Sequence, residues 1–265
     1  MKTTEIKTPL NKDEIRNTVR ESYGKIASES RSCCGPTCCG GSVSSPSDKL
    51  GYSPEQVGAV PEGSNLGLGC GNPIAIASLK PGEVVLDLGS GAGFDCFLAS
   101  KAVGELGKVI GVDMTPGMIN KARKNAGAGN YQNVEFRLGE IEHLPVPDRS
   151  VDIIISNCVI NLSPDKRSVI QEAHRTLKSG GRLAISDIVA TQILPDEIKN
   201  DLALLSGCMA GATPIAELRQ LLESVGFRDI SINEKPGSRD FIRDWAPDRG
   251  VENYVTSATI EARKP

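Results

Sequence analysis

The stretch VLDLGSGAG, which spans Val85–Gly93, joins an apolar run to a helical pattern that begins near Phe94. Glycines at such a junction let the backbone turn tightly and approach a ligand at the carboxyl end of a strand. The stretch therefore predicts a buried strand, a ligand-binding loop and a helix, in that order.

Strand and helix patterns alternate along the chain around this loop. The predicted strands are Val84–Leu88, Lys108–Val112, Val134–Leu138, Val151–Ile155 and Arg182–Ile188. The predicted helices between them are Phe94–Val103, Pro116–Ala126 and one that Ser163-Pro164 caps and Gly180-Gly181 ends. Because strands that alternate with helices form parallel, doubly wound sheets, the sequence predicts an α/β fold of the Rossmann-like type.

Two further regions flank this core. The first contains a predicted amphipathic helix, a cysteine-rich stretch and a Ser/Pro linker, at Asp13–Ala27, Cys33–Gly41 and Ser42–Ser47, and it ends where a predicted short helix, Asn72–Leu79, begins. The second is an α+β segment with helices near Asp196–Ser206 and Pro214–Val225 and strands near Phe227–Asn233 and Tyr254–Ala262. We therefore divide the chain into an N-terminal extension (1–72), a cofactor-binding domain (73–190) and a C-terminal segment that completes the sheet (191–265).

Two carboxylates indicate which cofactor the glycine loop binds. Asp87 precedes the glycines within the strand, where it can pair with an amino group but would repel a pyrophosphate. Asp113 ends the next strand, about 20 residues on, where it can bind both ribose hydroxyls. These positions favour S-adenosylmethionine over a nicotinamide dinucleotide, the other cofactor that such a loop can hold. The predicted cofactor residues of this region are Asp87, Gly89, Gly91, Gly93 and Asp113.

Composition restricts the function. The 265 residues carry a formal net charge of −3, with acidic and basic residues interleaved, so nucleic acid is not an expected partner. No apolar run is long enough to span a membrane, and Met1–Leu10 is too polar for a signal peptide. We therefore expect a cytoplasmic monomer that acts on a small molecule. In that compartment thiols stay reduced, so the eight cysteines do not predict a disulfide framework.

Three cysteines are candidates for binding an acceptor. Cys158 follows the fourth strand, at the sheet edge where ligands bind in open parallel sheets. The segment lacks the Asn/Asp-Pro-Pro-aromatic motif of methylases that act on exocyclic amino groups. Cys70 and Cys208 each lie in glycine-flanked segments, which suits a thiol presented to a ligand. Cys96 lies within a helix and is interpreted as a buried structural residue, the commonest role of a free cysteine.

The chain resembles the arsenite S-adenosylmethionine methyltransferases, a family of the class I S-adenosylmethionine-dependent methyltransferases. The segments that carry the resemblance are Tyr23–Lys25, Cys33-Cys34, Gly69–Gly71, Val85–Ser90, Asp95-Cys96, Asn157–Leu162, Ser186-Asp187, Cys208 and Val255–Thr259. The resemblance implies that Cys70, Cys158 and Cys208 bind trivalent arsenic as substrate, assisted by Cys33 or Cys34. It also implies that the cofactor contacts Met114, Glu140, Ile141 and Asn157. The chain departs from the family at Leu68, where an aromatic residue is common, and in a second pair, Cys38-Cys39.

The chemistry of arsenic suits these residues. Soft thiolates are the matching ligands for a thiophilic centre, and three of them leave a lone pair on arsenic that can attack a methyl carbon. The attacking atom loses no proton, so alignment is the main task of the enzyme. The resemblance also implies a thiol reductant as co-substrate, either glutathione-like, thioredoxin-like or another dithiol.

Two alternatives stay open at this point. A small-molecule C- or O-methyltransferase of the same fold could carry these cysteines as structural residues. Alternatively, Cys33–Cys39 could bind zinc, although the spacing lacks the separated second half of a typical zinc site.

Overall fold

A computed structural model of the chain describes residues 11–28 and 46–265. The cysteine-rich stretch and most of the predicted linker lie outside the described residues, and with them Cys33, Cys34 and the second pair Cys38-Cys39. No helix in the described ranges is long and apolar enough to cross a membrane.

The described residues form a mixed sheet of eight strands. The strands are β1 Val84–Leu88, β2 Lys108–Asp113, β3 Val134–Leu138, β4 Val151–Asn157, β5 Leu177–Ala190, β6 Thr213–Pro214, β7 Arg228–Lys235 and β8 Val255–Arg263. Their order is β3-β2-β1-β4-β5-β8-β7, with β6 paired to β5. Strands β1 to β5 run parallel, whereas β8 is antiparallel to both β5 and β7. The predicted Rossmann-like, mostly parallel sheet is confirmed, and β7 and β8 of the C-terminal segment complete it.

Helices cover both faces of this sheet. They are α1 Lys12–Ser28, α2 Pro46–Lys49, α3 Pro54–Gly58, α4 Ile74–Ala77, α5 Phe94–Val103, α6 Pro116–Ala128, α7 Lys166–Thr176, α8 Asp196–Lys199, α9 Leu202–Ser206, α10 Ile215–Val225 and α11 Arg239–Trp245. Alternate residues of β1 point to opposite faces. Leu86 packs in one apolar cluster with residues of α7 and α10, and Val85 packs in another with residues of α5 and α6.

A third apolar cluster lies at the carboxyl ends of the strands. It joins Val19 of α1 and residues of α8, α9 and α11 to the thiol-bearing residues Cys70, Cys158 and Cys208. This cluster places α1 and the C-terminal segment over the edge of the sheet where a ligand is expected.

Some predicted boundaries are wrong, and local hydrogen bonds explain why. Helix α7 starts after Asp165, whose carboxylate accepts from the Ser168 amide, so Ser163-Pro164 is not the cap. That helix ends at Thr176, and Gly180-Gly181 lies inside β5.

The run predicted as one helix at 196–206 is two helices. The Asp201 side chain accepts hydrogen bonds from the Ala203 and Leu204 amides and starts a new helix there. Helix α11 was not predicted.

Candidate active site

The glycine loop between β1 and α5 has backbone angles that favour glycine. Gly89, Gly91 and Gly93 all have positive φ angles, of 71°, 52° and 96°. A Cβ atom at Gly89 would lie 2.4 Å from the Val159 side chain, so the loop passes directly against the segment that follows β4. Glycine is required here for conformation as well as for space.

A cavity opens above this loop. Among the residues that the structure describes, four carboxylates line it, against a single cationic side chain, that of Arg16. Such a cavity fits S-adenosylmethionine, which carries a sulfonium and an ammonium charge against one carboxylate. The acidic residues of the lining are Asp87, Asp95, Asp113 and Glu142.

Asp113 connects the loop to the end of β2. Its carboxylate accepts hydrogen bonds from the Gly91 amide at 3.0 Å and from the Thr115 amide at 2.8 Å. Burial raises its pKa, and these two amide hydrogen bonds oppose that rise. Met114 and Ile141, two further predicted cofactor residues, also line the cavity.

Asp87 and Asp95 are two buried carboxylates of the cavity lining. Burial raises the pKa of Asp87, and the neighbouring Asp95 raises it further. Burial likewise raises the pKa of Asp95, to about 6. The Cys96 thiol donates a hydrogen bond to Asp87 at 3.1 Å. Cys96 is fully buried as expected, but it contacts a cofactor-site carboxylate rather than only apolar neighbours.

Two predicted cofactor residues do not line this cavity. Gly93 lies behind the loop, where a Cβ atom would contact two phenylalanine rings. Glu140 forms ion pairs with Arg16 at 3.5 Å and with Arg20 at 3.0 Å. Glu142, two residues further on, lines the cavity instead and accepts a hydrogen bond from a serine hydroxyl.

Cys158 and Cys208 both lie on strained backbone. Their φ angles are 60° and 64°, in the left-handed region that costs a residue with a side chain about 1–3 kcal/mol. The Cys158 amide donates to the Ser186 carbonyl at 2.8 Å, and the Cys208 thiol donates to the Cys158 carbonyl at 2.6 Å. The surrounding packing holds both thiols in conformations that the backbone alone would avoid.

The peptide groups of Cys70 are held from both sides. Its amide donates to the Asn157 side-chain oxygen at 2.9 Å, and its carbonyl accepts from the Ser257 hydroxyl at 2.7 Å. A Cβ atom at Gly69 would lie 2.7 Å from the Asn157 amide group, and one at Gly71 would lie 2.8 Å from a serine oxygen. The flanking glycines therefore allow this loop to approach β4 and β5 closely.

The thiols meet beside a buried carboxylate. The sulfur atoms of Cys70 and Cys158 and a carboxylate oxygen of Asp187 lie within 4.8 Å of one another. Hydrogen bonding with Cys208 and Cys70, together with burial, raises the pKa of Cys158, and burial raises the pKa of Cys70. Both groups are therefore neutral thiols near neutral pH. Asp187 accepts hydrogen bonds from the amides of Ile160 and Ile188 and from a neighbouring asparagine.

A second cavity opens on the other side of Cys158. Cys158 lines both cavities, Cys208 lines only the second, and Cys70 lines neither. Tyr23 of α1 also lines both cavities, and its hydroxyl donates to the Ser206 carbonyl at 3.3 Å. Burial, and secondly the neighbouring Cys208, raise the pKa of Tyr23.

The fold and the acidic cavity define a class I S-adenosylmethionine-dependent methyltransferase. Residues 79–226 match the family model of a methyltransferase domain. The chain is 51% identical to an arsenite methyltransferase of Halobacterium salinarum, over 96% of this chain and 67% of that relative. It is 40% identical to the arsenite methyltransferase of Aquipseudomonas alcaligenes, over 83% of this chain and 64% of that relative. The chain belongs to the arsenite methyltransferase family.

Solved structures agree with this assignment. The fold resembles that of an arsenic(III) S-adenosylmethionine methyltransferase from Chlamydomonas reinhardtii, with a TM-score of 0.62 and 35% identity, over 83% of this chain and 73% of that one. The YcgJ protein of Bacillus subtilis, at 23% identity and a TM-score of 0.57 over 72% of this chain and 95% of that one, shares the fold alone. This chain spans about two thirds of the length of the two curated relatives described above.

Proposed function

We propose that this protein transfers a methyl group from S-adenosylmethionine to trivalent arsenic bound by Cys70, Cys158 and Cys208. The observation that carries the proposal is the meeting of these three cysteines, from three separate segments, beside the cofactor cavity. Cys158 lines both cavities and so stands between the bound cofactor and the acceptor.

The protonation state of the thiols favours arsenite over a divalent cation. Arsenous acid is neutral and exchanges its three hydroxyl groups for three thiols, and the thiol protons leave with those hydroxyls as water. No net charge enters the buried site, so the burial that opposes thiolates at Cys70 and Cys158 does not oppose capture. A zinc ion needs deprotonated thiols and would bring charge into the same apolar cluster.

S-adenosylmethionine, when bound, supplies an electrophilic methyl group on its sulfonium sulfur. The chain holds this cofactor by charge: Asp113 suits the ribose hydroxyls, and Asp87 and Asp95 suit the amino group. Gly89 and Gly91 let the loop approach the cofactor closely. The residues at the other side of Cys158 then hold arsenic in a fixed position, which is the main contribution that this reaction requires.

The lining of the second cavity disfavours an acceptor that must lose a proton. A phenol or a carbon acid needs a general base, but no carboxylate or histidine is among the described residues that line this cavity. His143 and His174 line neither cavity. The alternative of a C- or O-methyltransferase with purely structural cysteines therefore has less support than arsenic methylation.

We further propose, from the family resemblance, that Cys33 or Cys34 assists in arsenic capture and that a thiol reductant restores the enzyme. A glutathione-like, a thioredoxin-like or another dithiol reductant would serve. Asn157, predicted to contact the cofactor, also lines the first cavity, although its amide group is engaged with the Cys70 loop.

Separation of arsenic species after incubation tests the proposal. The protein, S-adenosylmethionine, a dithiol and arsenite should together give methylated arsenic and consume the cofactor. A phenol or a quinone precursor in place of arsenite should leave the cofactor unconsumed. Consumption with the organic acceptor and none with arsenite would contradict the proposal.

A further inference from the structure

A chain of hydrogen bonds connects the cofactor cavity to the backbone of the Cys70 loop. Asp95, in the first turn of α5, lines the cavity. The Tyr52 hydroxyl donates to Asp95 at 2.7 Å and accepts from the Asn157 side-chain amide at 3.0 Å. The same Asn157 side chain accepts from the Cys70 amide at 2.9 Å and donates to the Gly71 carbonyl at 2.8 Å.

Tyr52 connects the two ends of this series of hydrogen bonds. The Asn157 amide group has two protons, and the Tyr52 oxygen and the Gly71 carbonyl take both at short distance. Asn157 also donates a longer hydrogen bond of 3.4 Å directly to Asp95, and this bond is weaker than the two short ones. The cofactor-site carboxylate therefore reaches Asn157 mainly through the tyrosine hydroxyl.

The Tyr52 ring is held by apolar packing that does not depend on its hydroxyl. The residue is 3% exposed, and its ring packs edge-on against Phe94 at 4.8 Å between ring centroids. It belongs to a small apolar cluster with Leu50 and Leu98. Tyr52 lines neither cavity, so its hydroxyl can act only through its two partners.

We propose that Tyr52 is a positioning residue that couples cofactor binding to arsenic binding. The proposal rests on the function proposed above. An amino group that pairs with Asp95 fixes the carboxylate, and the carboxylate fixes Tyr52, Asn157 and the backbone of Cys70 in turn. Because coupling between two sites is reciprocal, the cofactor tightens arsenic binding by the same factor as arsenic tightens cofactor binding.

Arsenite affinity with and without S-adenosylhomocysteine measures this coupling directly. S-adenosylhomocysteine carries the same amino group and cannot transfer a methyl group. Trp245, the only tryptophan, lines the second cavity, so its fluorescence reports arsenite binding. In the unaltered protein we expect S-adenosylhomocysteine to tighten arsenite binding by about five- to tenfold.

Two tyrosine variants separate coupling from structure. Tyr52→Phe keeps the ring and the weaker direct bond from Asn157 to Asp95, so it should lower the coupling factor to about twofold or less, while each ligand alone still binds. Tyr131→Phe is the matched control, because its hydroxyl makes only a 3.5 Å contact with a backbone carbonyl and its ring packs on Phe97. The control should keep the full coupling factor.

A second variant covers the case in which Tyr52→Phe does not fold. Asp95→Asn keeps an oxygen for Tyr52 but removes the charge, so the coupling factor at saturating S-adenosylhomocysteine should be about one. A coupling factor of one in the unaltered protein, or an unchanged factor in a folded Tyr52→Phe or Asp95→Asn variant, overturns the inference. In either case arsenic methylation by the unaltered protein would still support the proposed function, whereas no arsenite binding at all would remove both.

Discussion

The two halves of the active site differ in how the chain builds them. The cofactor half is centred on one loop, which follows β1, and on Asp113 at the end of the next strand. The thiol half combines Cys70, Cys158 and Cys208, which several strands and helices separate along the chain. A site made from one loop depends on local sequence, whereas a site made from three segments depends on the packing of the whole molecule.

Backbone strain falls differently on the two halves. The positive φ angles of the cofactor loop are at glycines, which adopt them at little cost. In the thiol half, Gly69 beside Cys70 has a positive φ angle, and so do Cys158 and Cys208, which carry side chains. Residues with side chains disfavour the left-handed region, so holding these two thiols in place lowers the stability of the fold. We therefore expect substitutions at the two cysteines to affect function more than substitutions around the cofactor.

Loss of either strained thiol should have the largest effect. Cys158→Ser and Cys208→Ser should each abolish methylation of both arsenite and monomethylarsenite, because a hydroxyl is too hard a ligand to hold arsenic. Calorimetric titration should show S-adenosylmethionine binding unchanged in both variants. Substantial arsenic methylation by either serine variant with normal cofactor binding would refute the three-thiol site.

Loss of Cys70 should affect only one substrate. Inorganic arsenite has three exchangeable positions, but monomethylarsenite has two, and Cys158 and Cys208 can fill those. Cys70 lines neither cavity, which agrees with a role restricted to the first capture. Cys70→Ser should therefore lose activity on arsenite and keep much of its activity on monomethylarsenite.

Chromatographic separation of the products, with each substrate supplied separately, checks this expectation. Equal failure on both substrates would mean that Cys70 holds arsenic through every cycle. The paired variant Cys33→Ser with Cys34→Ser should behave like Cys70→Ser, because the N-terminal doublet is also proposed to act in the first capture.

Substitution of a cofactor-site carboxylate should weaken cofactor binding without abolishing it, which is a smaller effect than the loss of a thiol. Charge-assisted hydrogen bonds are worth about 1.5–3 kcal/mol, so Asp113→Ala should weaken S-adenosylmethionine binding by about 10- to 100-fold. Arsenite binding without cofactor, followed by Trp245 fluorescence, should stay unchanged. Unaltered cofactor affinity in a folded variant would remove Asp113 from the site.

The sequence indicated residues at strand ends better than residues that reach the cofactor cavity through tertiary packing. Asp87 and Asp113 could be placed because parallel strands end at a common edge. Asp95 and Glu142 were not assigned to the cavity, since only tertiary packing turns them towards it. Tyr52 carries no sequence signal at all.

Tyr23 lies in one of the segments that carry the family resemblance, but the resemblance implied no role for this residue. Cytoplasmic location, the monomeric state, the reductant and the domain boundaries stay predictions. The roles of Cys33 and Cys34 also stay predictions, because both residues lie outside the described ranges.

The smallest expected effect concerns Cys96, which the sequence alone presented as a buried structural residue. Its thiol donates to Asp87, so it acts on the cofactor half through that carboxylate. Cys96→Ser keeps a donor and should change the KM for S-adenosylmethionine by no more than about twofold, whereas Cys96→Ala should raise it about fivefold, the value of one ordinary hydrogen bond. Steady-state kinetics at saturating arsenite, with thermal unfolding of both variants as the control, distinguishes the two roles. Equal KM values for the serine and alanine variants would make Cys96 a packing residue only. The two halves of the active site would then differ only through the cofactor-site carboxylates and the three arsenic thiols.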